Sequence, residues 1–201
     1  MKKLCYSIVF VFIAWSLQAC NNNRSQDSVS LADKANKEDD TVDFRPVPDL
    51  GVENIDTYSD ADFAVKAADG GLLEVQLGKI ALTNASTQGV KDFGQMMVDD
   101  HSKANKELMA IAEQKEIVLP SVPGDENVKH IKDLNEKKGN DFDKDYIDMM
   151  VDDHKEDIAL FEMASTRALD VDIKAFANKT LPVLKKHLAA AESLKKTLDS
   201  K

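Results

Sequence analysis

The hexapeptide MMVDDH occurs twice in this chain, at residues 96–101 and again at residues 149–154. An aromatic residue stands eight positions before the histidine of each copy, Phe93 for the first and Tyr146 for the second. The aromatic residue, the methionine pair and the histidine therefore recur at identical offsets. We interpret the repeat as one helical unit that the chain uses more than once.

Apolar residues spaced by three and four positions surround both copies, and this period is typical of an amphipathic α-helix. The face around the first copy contains Val90, Phe93, Met97, His101, Ala104, Leu108 and Ile111. The face around the second contains Phe142, Tyr146, Met150, His154, Ile158, Phe161 and Ser165. Two further segments show the same period, one with Phe63, Ala67, Gly70, Glu74, Leu77 and Ala81, the other with Ile173, Ala177, Thr180, Leu184, His187, Ala191 and Leu194. The pattern predicts four long helices.

Short breaks separate the first helix from the second near residues 87–89 and the third from the fourth near residues 169–170. Long helices joined by a few residues must lie antiparallel. Residues 118–140 contain prolines and glycines and form a longer crossover, with a short helix expected over residues 125–138. The sequence thus predicts an all-α fold, an antiparallel four-helix bundle over residues 59–201 with a crossover between its second and third helices. The predicted core includes Phe63, Leu77, Phe93, Leu108, Tyr146, Phe161, Phe176 and Leu184.

A polar residue interrupts the apolar face near the middle of each predicted helix. These residues are Glu74, His101, His154 and His187, in chain order. Glu74 and His101 lie at almost equal distances from the turn between their helices, and His154 and His187 differ in height by only ~4.5 Å. The four side chains are therefore expected to meet near the middle of the bundle. One carboxylate and three imidazoles suit a single transition metal, namely Cu, Zn or Fe.

Two methionines add to this pattern and leave two interpretations open. Met97 and Met150 each precede a histidine by four residues on the same helix face, so they are candidate thioether ligands that would favour copper. Methionines at this spacing also fill gaps in cores, and the histidines could hydrogen-bond Glu74 and neighbouring aspartates as a metal-free polar layer. The aspartate pairs at residues 99–100 and 152–153 are expected on solvated helix faces, because Asp is rarely fully buried.

The amino-terminal residues predict export and a lipid anchor. Residues 1–19 combine two lysines with a short apolar run and end in LQA before Cys20. This pattern is typical of a bacterial lipoprotein signal peptide, whose apolar core is too short to span a membrane. We expect Cys20 to be lipidated and to hold the protein on the cell envelope, at the outer membrane facing the periplasm. Residues 20–58 are polar and charged without a sustained apolar period, which predicts a flexible tether.

The composition of the chain argues against several classes of binding partner. A net charge of −10 argues against nucleic-acid binding and against broad attraction to anionic lipid. Removal of residues 1–19 leaves Cys20 as the remaining cysteine, so no intramolecular disulfide is expected and the apolar core must stabilise the fold. The sequence indicates no particular protein partner.

Four segments of the chain strongly resemble a known bacterial family. They are DFAVKAADGGLLEVQLGKIAL, VKDFGQMMVDDH, GNDFDKDYIDMMVDDHKEDIALFEMA and IKAFANKTLPVLKKHL. They are similar to the exported proteins grouped as domain of unknown function 4142, and the resemblance runs from about Asp60 to Leu194. It implies a ferritin-like four-helix bundle outside the cytoplasm, in proteins described as outer-membrane proteins. It brings no settled activity.

The chain departs from the di-iron ferritins, which carry a Glu-x-x-His motif on two helices. Val98, Val151 and Leu184 stand three residues before the histidines here, so carboxylate-bridged ferroxidase chemistry is not expected. No serine or cysteine lies in a recognisable nucleophile motif, and the sequence favours a non-enzymatic role. Two functions remain open. One is metal buffering or sensing by an envelope lipoprotein, and the other is a structural or partner-binding role in envelope stress with a buried histidine layer and no ligand.

Overall fold

The computed structural model describes residues 27–39 and 58–200, which form six helices. They are α1 (Ser28–Asp39), α2 (Asp60–Asn84), α3 (Gln88–Gln114), α4 (Asp125–Asn135), α5 (Gly139–Arg167) and α6 (Val171–Asp199). The described residues contain no β-strand, so the all-α prediction is confirmed. The four predicted long helices correspond to α2, α3, α5 and α6, and the short crossover helix corresponds to α4. None of the described helices is long and apolar enough to span a membrane. The predicted signal peptide and Cys20 lie outside the described residues.

Two aspartates tie the ends of the long helices together. Asp60, at the start of α2, accepts a hydrogen bond of 2.7 Å from the backbone N–H of Asp170, which precedes α6. At the opposite end, the buried Asp143 of α5 accepts hydrogen bonds of 2.9 Å from the backbone N–H groups of Ser86 and Thr87, between α2 and α3. The start of α2 therefore lies beside the end of α5, and the two helices run antiparallel.

The long helices form two hairpins that pack on each other. Helix α2 packs along α3 and α5 along α6, and the hairpins meet through contacts of α2 with α5 and of α3 with α6. The crossover returns the chain from the end of α3 to the start of α5, and its helix α4 lies against α2. The α2 and α3 backbones approach closely at two glycines, where a Cβ on Gly78 would lie 2.6 Å from the carbonyl oxygen of Gly94.

The apolar core consists of two clusters, one towards each end of the long helices. All eight residues predicted for the core are buried, which confirms the assignment of the inward faces. On α3, Met97 belongs to the first cluster and Leu108 to the second, with His101 between them. On α5, Val151 and Phe161 likewise belong to different clusters, on either side of His154. The predicted polar residues therefore lie where the two clusters meet.

Helix α1 corrects part of the predicted tether. The tether was expected over residues 20–58, but residues 28–39 form a helix that contacts α2. The Asn36 side chain accepts a hydrogen bond from the N–H of Val118 at 2.8 Å and donates to its carbonyl at 3.0 Å. Of the apolar side chains of α1, Ala32 is buried. Because α1 is held largely by polar contacts with a loop, its sequence shows no apolar period. This explains why the sequence predicted a tether and not a helix over these residues.

Candidate metal centre

The structure brings together the four predicted polar residues, one from each long helix. Glu74 of α2, His101 of α3, His154 of α5 and His187 of α6 are all buried. Glu74 is 0% exposed, which is rare for a carboxylate unless it is paired or bound to a metal. We call His101, His154 and His187 the histidine cluster.

Short distances join Glu74 to the histidine cluster. The carboxylate oxygen Oε2 of Glu74 lies 2.5 Å from Nδ1 of His101, and Oε1 lies 3.3 Å from Nε2 of His154. The Nε2 atom of His101 lies 3.3 Å from Nδ1 of His187. One ring nitrogen from each of the three histidines lies within 4.8 Å of those of the other two. An ion placed among these nitrogens would reach all three with small side-chain adjustments.

Outer hydrogen bonds orient two of the imidazoles. Nδ1 of His154 lies 2.9 Å from the carbonyl oxygen of Met150, and Nε2 of His187 lies 2.9 Å from Oδ2 of Asp100. A carbonyl or a carboxylate only accepts, so each of these nitrogens carries the proton. The opposite nitrogen of each ring then has a free lone pair directed into the cluster. Metal-binding histidines in proteins usually have such an outer carbonyl or carboxylate partner.

Several buried polar atoms in the cluster lack a hydrogen-bond partner. Although Glu74 contacts two imidazoles, neither of its oxygens makes a hydrogen bond among the described residues. The same holds for Nε2 of His154 and Oδ2 of Asp153. Leaving a buried polar group unpaired costs about 1–3 kcal/mol, and more if it is charged. A bound cation would satisfy these atoms, so the residues present fit a metal ion.

Burial changes the protonation of every member of the centre. It lowers the pKa of His101 to about 4 and that of His154 to about 3. Burial also lowers the pKa of His187 to about 4, although the hydrogen bond to Asp100 partly offsets this. The pKa of Glu74 is raised well above its ordinary value, again because of burial. The imidazoles are therefore neutral at pH 7, in the form that coordinates metals.

A surface cavity of about 100 Å³ leads to the histidine cluster between α3 and α6. Its lining includes His101 and His187 on the inside and Asp100 near the surface. The ion pair between Lys179 and Glu107 lies on the outer side, with Nζ–Oε distances of 2.7 and 2.8 Å. The cavity provides a path by which a small ion from solvent reaches the cluster.

The predicted thioether ligands lie in the apolar core. Met97 and Met150 are fully buried in the same cluster as Leu77 and Phe93. This position fits the gap-filling role that methionine plays in cores. Coordination of a metal by either sulfur stays a prediction.

The aspartate pairs require a correction. Asp99 and Asp152 are exposed, as predicted, but Asp100 contacts His187 and Asp153 has a buried, unpartnered oxygen close to Glu74 and His154. A signal for Asp153 was present in the sequence. Together with Tyr146, Met150 and Asp157 it follows the spacing of four, three and four residues that marks an inward face.

Comparison with known proteins identifies the family. The chain matches the model of the family described as Domain of unknown function (DUF4142) over residues 51–194 and belongs to that family. Solved structures with a similar fold include CopM in the Cu(I)-bound form and CopM in the Cu(II)-bound form, each with a TM-score of 0.60. They are 13% and 14% identical to this chain, and each comparison covers 70% of this chain and 98% of CopM. At this identity the likeness is one of fold. No curated protein matches the sequence significantly.

Proposed function

We propose that this DUF4142 member binds a single transition-metal ion through His101, His154 and His187, with Glu74 as the fourth ligand, and that it buffers or senses that metal in the bacterial envelope. The observation that carries the proposal is the convergence of three buried imidazoles beside a fully buried carboxylate whose oxygens lack hydrogen-bond partners. Three histidines and a carboxylate can complete the shell of a first-row transition metal.

Copper is the first metal to test. Imidazole ligands suit copper in both common oxidation states, and also zinc and iron. The copper-bound forms of CopM have a similar fold, and this supports copper without assigning its ligands here. Met97 and Met150, one turn from two of the histidines, would strengthen a preference for Cu(I) if either sulfur turned towards the ion.

The helix arrangement supports a ferritin-like four-helix bundle as the finer description of the fold. Helices α2 and α6 run in one direction and α3 and α5 in the other, with a long crossover between α3 and α5. This order of directions is that of ferritin-like folds with one crossover. The ligand set differs from that of the di-iron members, because the Glu-x-x-His motif is absent from the sequence. We therefore propose binding without ferroxidase activity.

We also propose that the protein is a lipoprotein anchored through Cys20 at the outer membrane, facing the periplasm. The support is the sequence of residues 1–20, with its lysines, short apolar run and LQAC ending. An envelope location would place the cavity between α3 and α6 outside the cytoplasm.

A metal-free polar layer is the alternative, with a structural or partner-binding role in envelope stress. The contact between His101 Nε2 and His187 Nδ1, at 3.3 Å, favours it, because a single shared proton also satisfies both nitrogens. A protonated Glu74, consistent with its raised pKa, would then face two neutral imidazoles. Such layers fix the register of packed helices.

Thermal unfolding with and without metal separates the two functions. A ligand that binds only the folded state raises Tm in a concentration-dependent manner. We expect this for the wild-type protein and for the control His130→Gln, whose side chain lies on α4 away from the cluster. The double variant His101→Gln, His154→Gln should keep its helical circular dichroism and lose the response. Destabilisation of the double variant with no metal response in the wild type would favour the polar layer.

A further inference from the structure

We propose that Glu74, Asp153 and His154 form a second, oxygen-rich cation position beside the histidine cluster, and that this position takes a hard divalent ion of the Mn(II) or Fe(II) class. We call it the acidic position. The inference rests on the proposed metal-binding function, since the two positions share Glu74 and His154.

The unpartnered atoms of the structure define the acidic position. One ligand atom from each of Glu74, Asp153 and His154 lies within 4.8 Å of those of the other two. Both oxygens of Glu74, Oδ2 of Asp153 and Nε2 of His154 are buried and lack hydrogen-bond partners among the described residues. All three members of the group therefore contribute at least one unsatisfied atom. Native proteins leave few such atoms, and a cation at their common centre would satisfy them together.

The carboxyl groups near the acidic position also support the binding of a cation there. Two carboxyl groups from different helices, Glu74 on α2 and Asp153 on α5, come together in the interior. Asp157 lies one turn further along α5, and its Oδ1 would be 3.4 Å from a Cβ built on Gly70. This third carboxyl group therefore lies against α2 at Gly70, one turn before Glu74. Clustered carboxylates repel one another, and a divalent cation offsets that repulsion.

The two positions must be alternatives and not a pair of ions bound at once. Nδ1 of His154 is hydrogen-bonded to the carbonyl oxygen of Met150, so only Nε2 can coordinate. The single lone pair on Nε2 can coordinate only one ion at a time. A metal that prefers nitrogen ligands would lie among the three histidines, whereas a metal that prefers carboxylate ligands would lie closer to Asp153. Glu74 would bind either metal through one of its two carboxylate oxygens. The centre would then accept two classes of metal with one shared imidazole.

Binding of Mn(II) to the metal-free full-length protein, followed by electron paramagnetic resonance of free Mn(II), tests the acidic position. The variant Asp153→Asn keeps the size of the side chain and removes its charge, and its matched control is Asp152→Asn, the exposed neighbour (78% side-chain exposure). We expect Asp153→Asn to weaken Mn(II) binding about tenfold or more, as loss of a metal contact does, and Asp152→Asn to leave it unchanged. His187→Gln should weaken Cu(II) and Zn(II) binding while leaving Mn(II) binding in place. Asp153→Ser serves as a second variant if Asp153→Asn fails to fold by circular dichroism.

Competition tests the shared ligand, because saturating Zn(II) must release bound Mn(II). Retention of Mn(II) beside Zn(II) would overturn the claim that His154 serves both ions. Equal Mn(II) affinity of the wild type and Asp153→Asn, or no saturable Mn(II) binding while Cu(II) binds, would overturn the acidic position and leave the histidine-cluster proposal standing. Absence of binding for Mn(II), Cu(II) and Zn(II) alike would overturn both.

Discussion

Nδ1 of His154 lies 2.9 Å from the carbonyl oxygen of Met150, one turn earlier on α5. This bond directs Nε2 towards Glu74. The equivalent histidine of the first hexapeptide, His101, behaves differently, because its Nδ1 contacts Glu74 and its Nε2 faces His187. Identical hexapeptides therefore present opposite ring nitrogens to Glu74. What the copies share is that each brings its second aspartate next to a member of the centre, Asp100 to His187 and Asp153 to Glu74, and places its second methionine in the apolar core.

Glu74→Gln should stabilise the metal-free protein at neutral pH. The raised pKa of Glu74 means that folding disfavours its ionised form, so the folded state loses stability as pH rises above the ordinary value of 4.5. Glutamine removes this penalty, so we expect a gain in stability. Urea unfolding at pH 7 measures it. Glu107→Gln, in the ion pair with Lys179 at the mouth of the cavity, is the control and should change stability by less than about 1 kcal/mol. A less stable Glu74→Gln protein would mean that Glu74 is already satisfied without metal.

The three buried histidines should contribute less to the stability of the metal-free protein as pH falls from about 6.5 towards about 4. The histidines of the cluster have folded-state pKa values of about 3 to 4, below the ordinary 6.5, so over this window the unfolded chain binds protons that the folded chain does not. The loss should approach 1.4 kcal/mol per pH unit for each histidine. Urea unfolding across this range should show a smaller loss of stability with falling pH for His154→Gln than for the wild type. Identical slopes for wild type and His154→Gln would contradict burial of a neutral imidazole.

Low pH should also weaken metal binding. Protons compete with the metal for the imidazole nitrogens and for Glu74. The sequence alone places the loss near the ordinary histidine pKa, but the depressed values shift the histidine contribution to about pH 4. Above about pH 4, the decrease in affinity as pH falls should instead follow protonation of Glu74, whose pKa is raised. Isothermal titration in buffers of different ionisation enthalpy would count the released proton, and the count should fall in Glu74→Gln.

Gly78→Ala should destabilise the hairpin of α2 and α3. A Cβ on Gly78 would lie 2.6 Å from the carbonyl oxygen of Gly94, so the two backbones must separate. We expect a loss of about 1–3 kcal/mol, as for other overpacked positions. The control is Gly70→Ala, where the new Cβ would make an ordinary 3.4 Å contact with Asp157 and the higher helix propensity of alanine should be neutral or stabilising. If urea unfolding gives the same stability for both variants, the close approach of the helices is not needed.

Cys20→Ser should release the protein from membranes without unfolding it. The lipid on Cys20 would attach the protein to the membrane, whereas the apolar core that stabilises the fold lies within residues 58–200. Cell fractionation should find Cys20→Ser in the soluble fraction with an unchanged Tm. Cys5→Ser, within the predicted signal peptide, is the control and should remain with the membranes. Sedimentation of Cys20→Ser with membranes would contradict the lipid anchor.

Periodicity made much of this structure predictable. Apolar spacing located α2, α3, α5 and α6, and equal distances from the turns placed Glu74 level with His101. Pattern reasoning failed where contacts are local and polar. Helix α1 is held by Asn36 and its neighbours, which leave no apolar period, and Asp153 lies at the edge of an inward face, where an acid is ordinarily expected to reach water. Which ring nitrogen of each histidine faces Glu74 depends on the distances between the helices. The spacing of residues along the sequence does not give these distances.

Calorimetric titration of the metal-free protein with Cu(I), Cu(II), Zn(II) and Fe(II) tests the central claim most directly. We expect saturable binding of one ion per chain, tighter than about 10 μM for at least one of these metals, and its loss in the double variant His101→Gln, His154→Gln. Binding weaker than about 10 μM for all four, an affinity of no more than ~7 kcal/mol, would contradict it and leave the repeated hexapeptide as a packing unit.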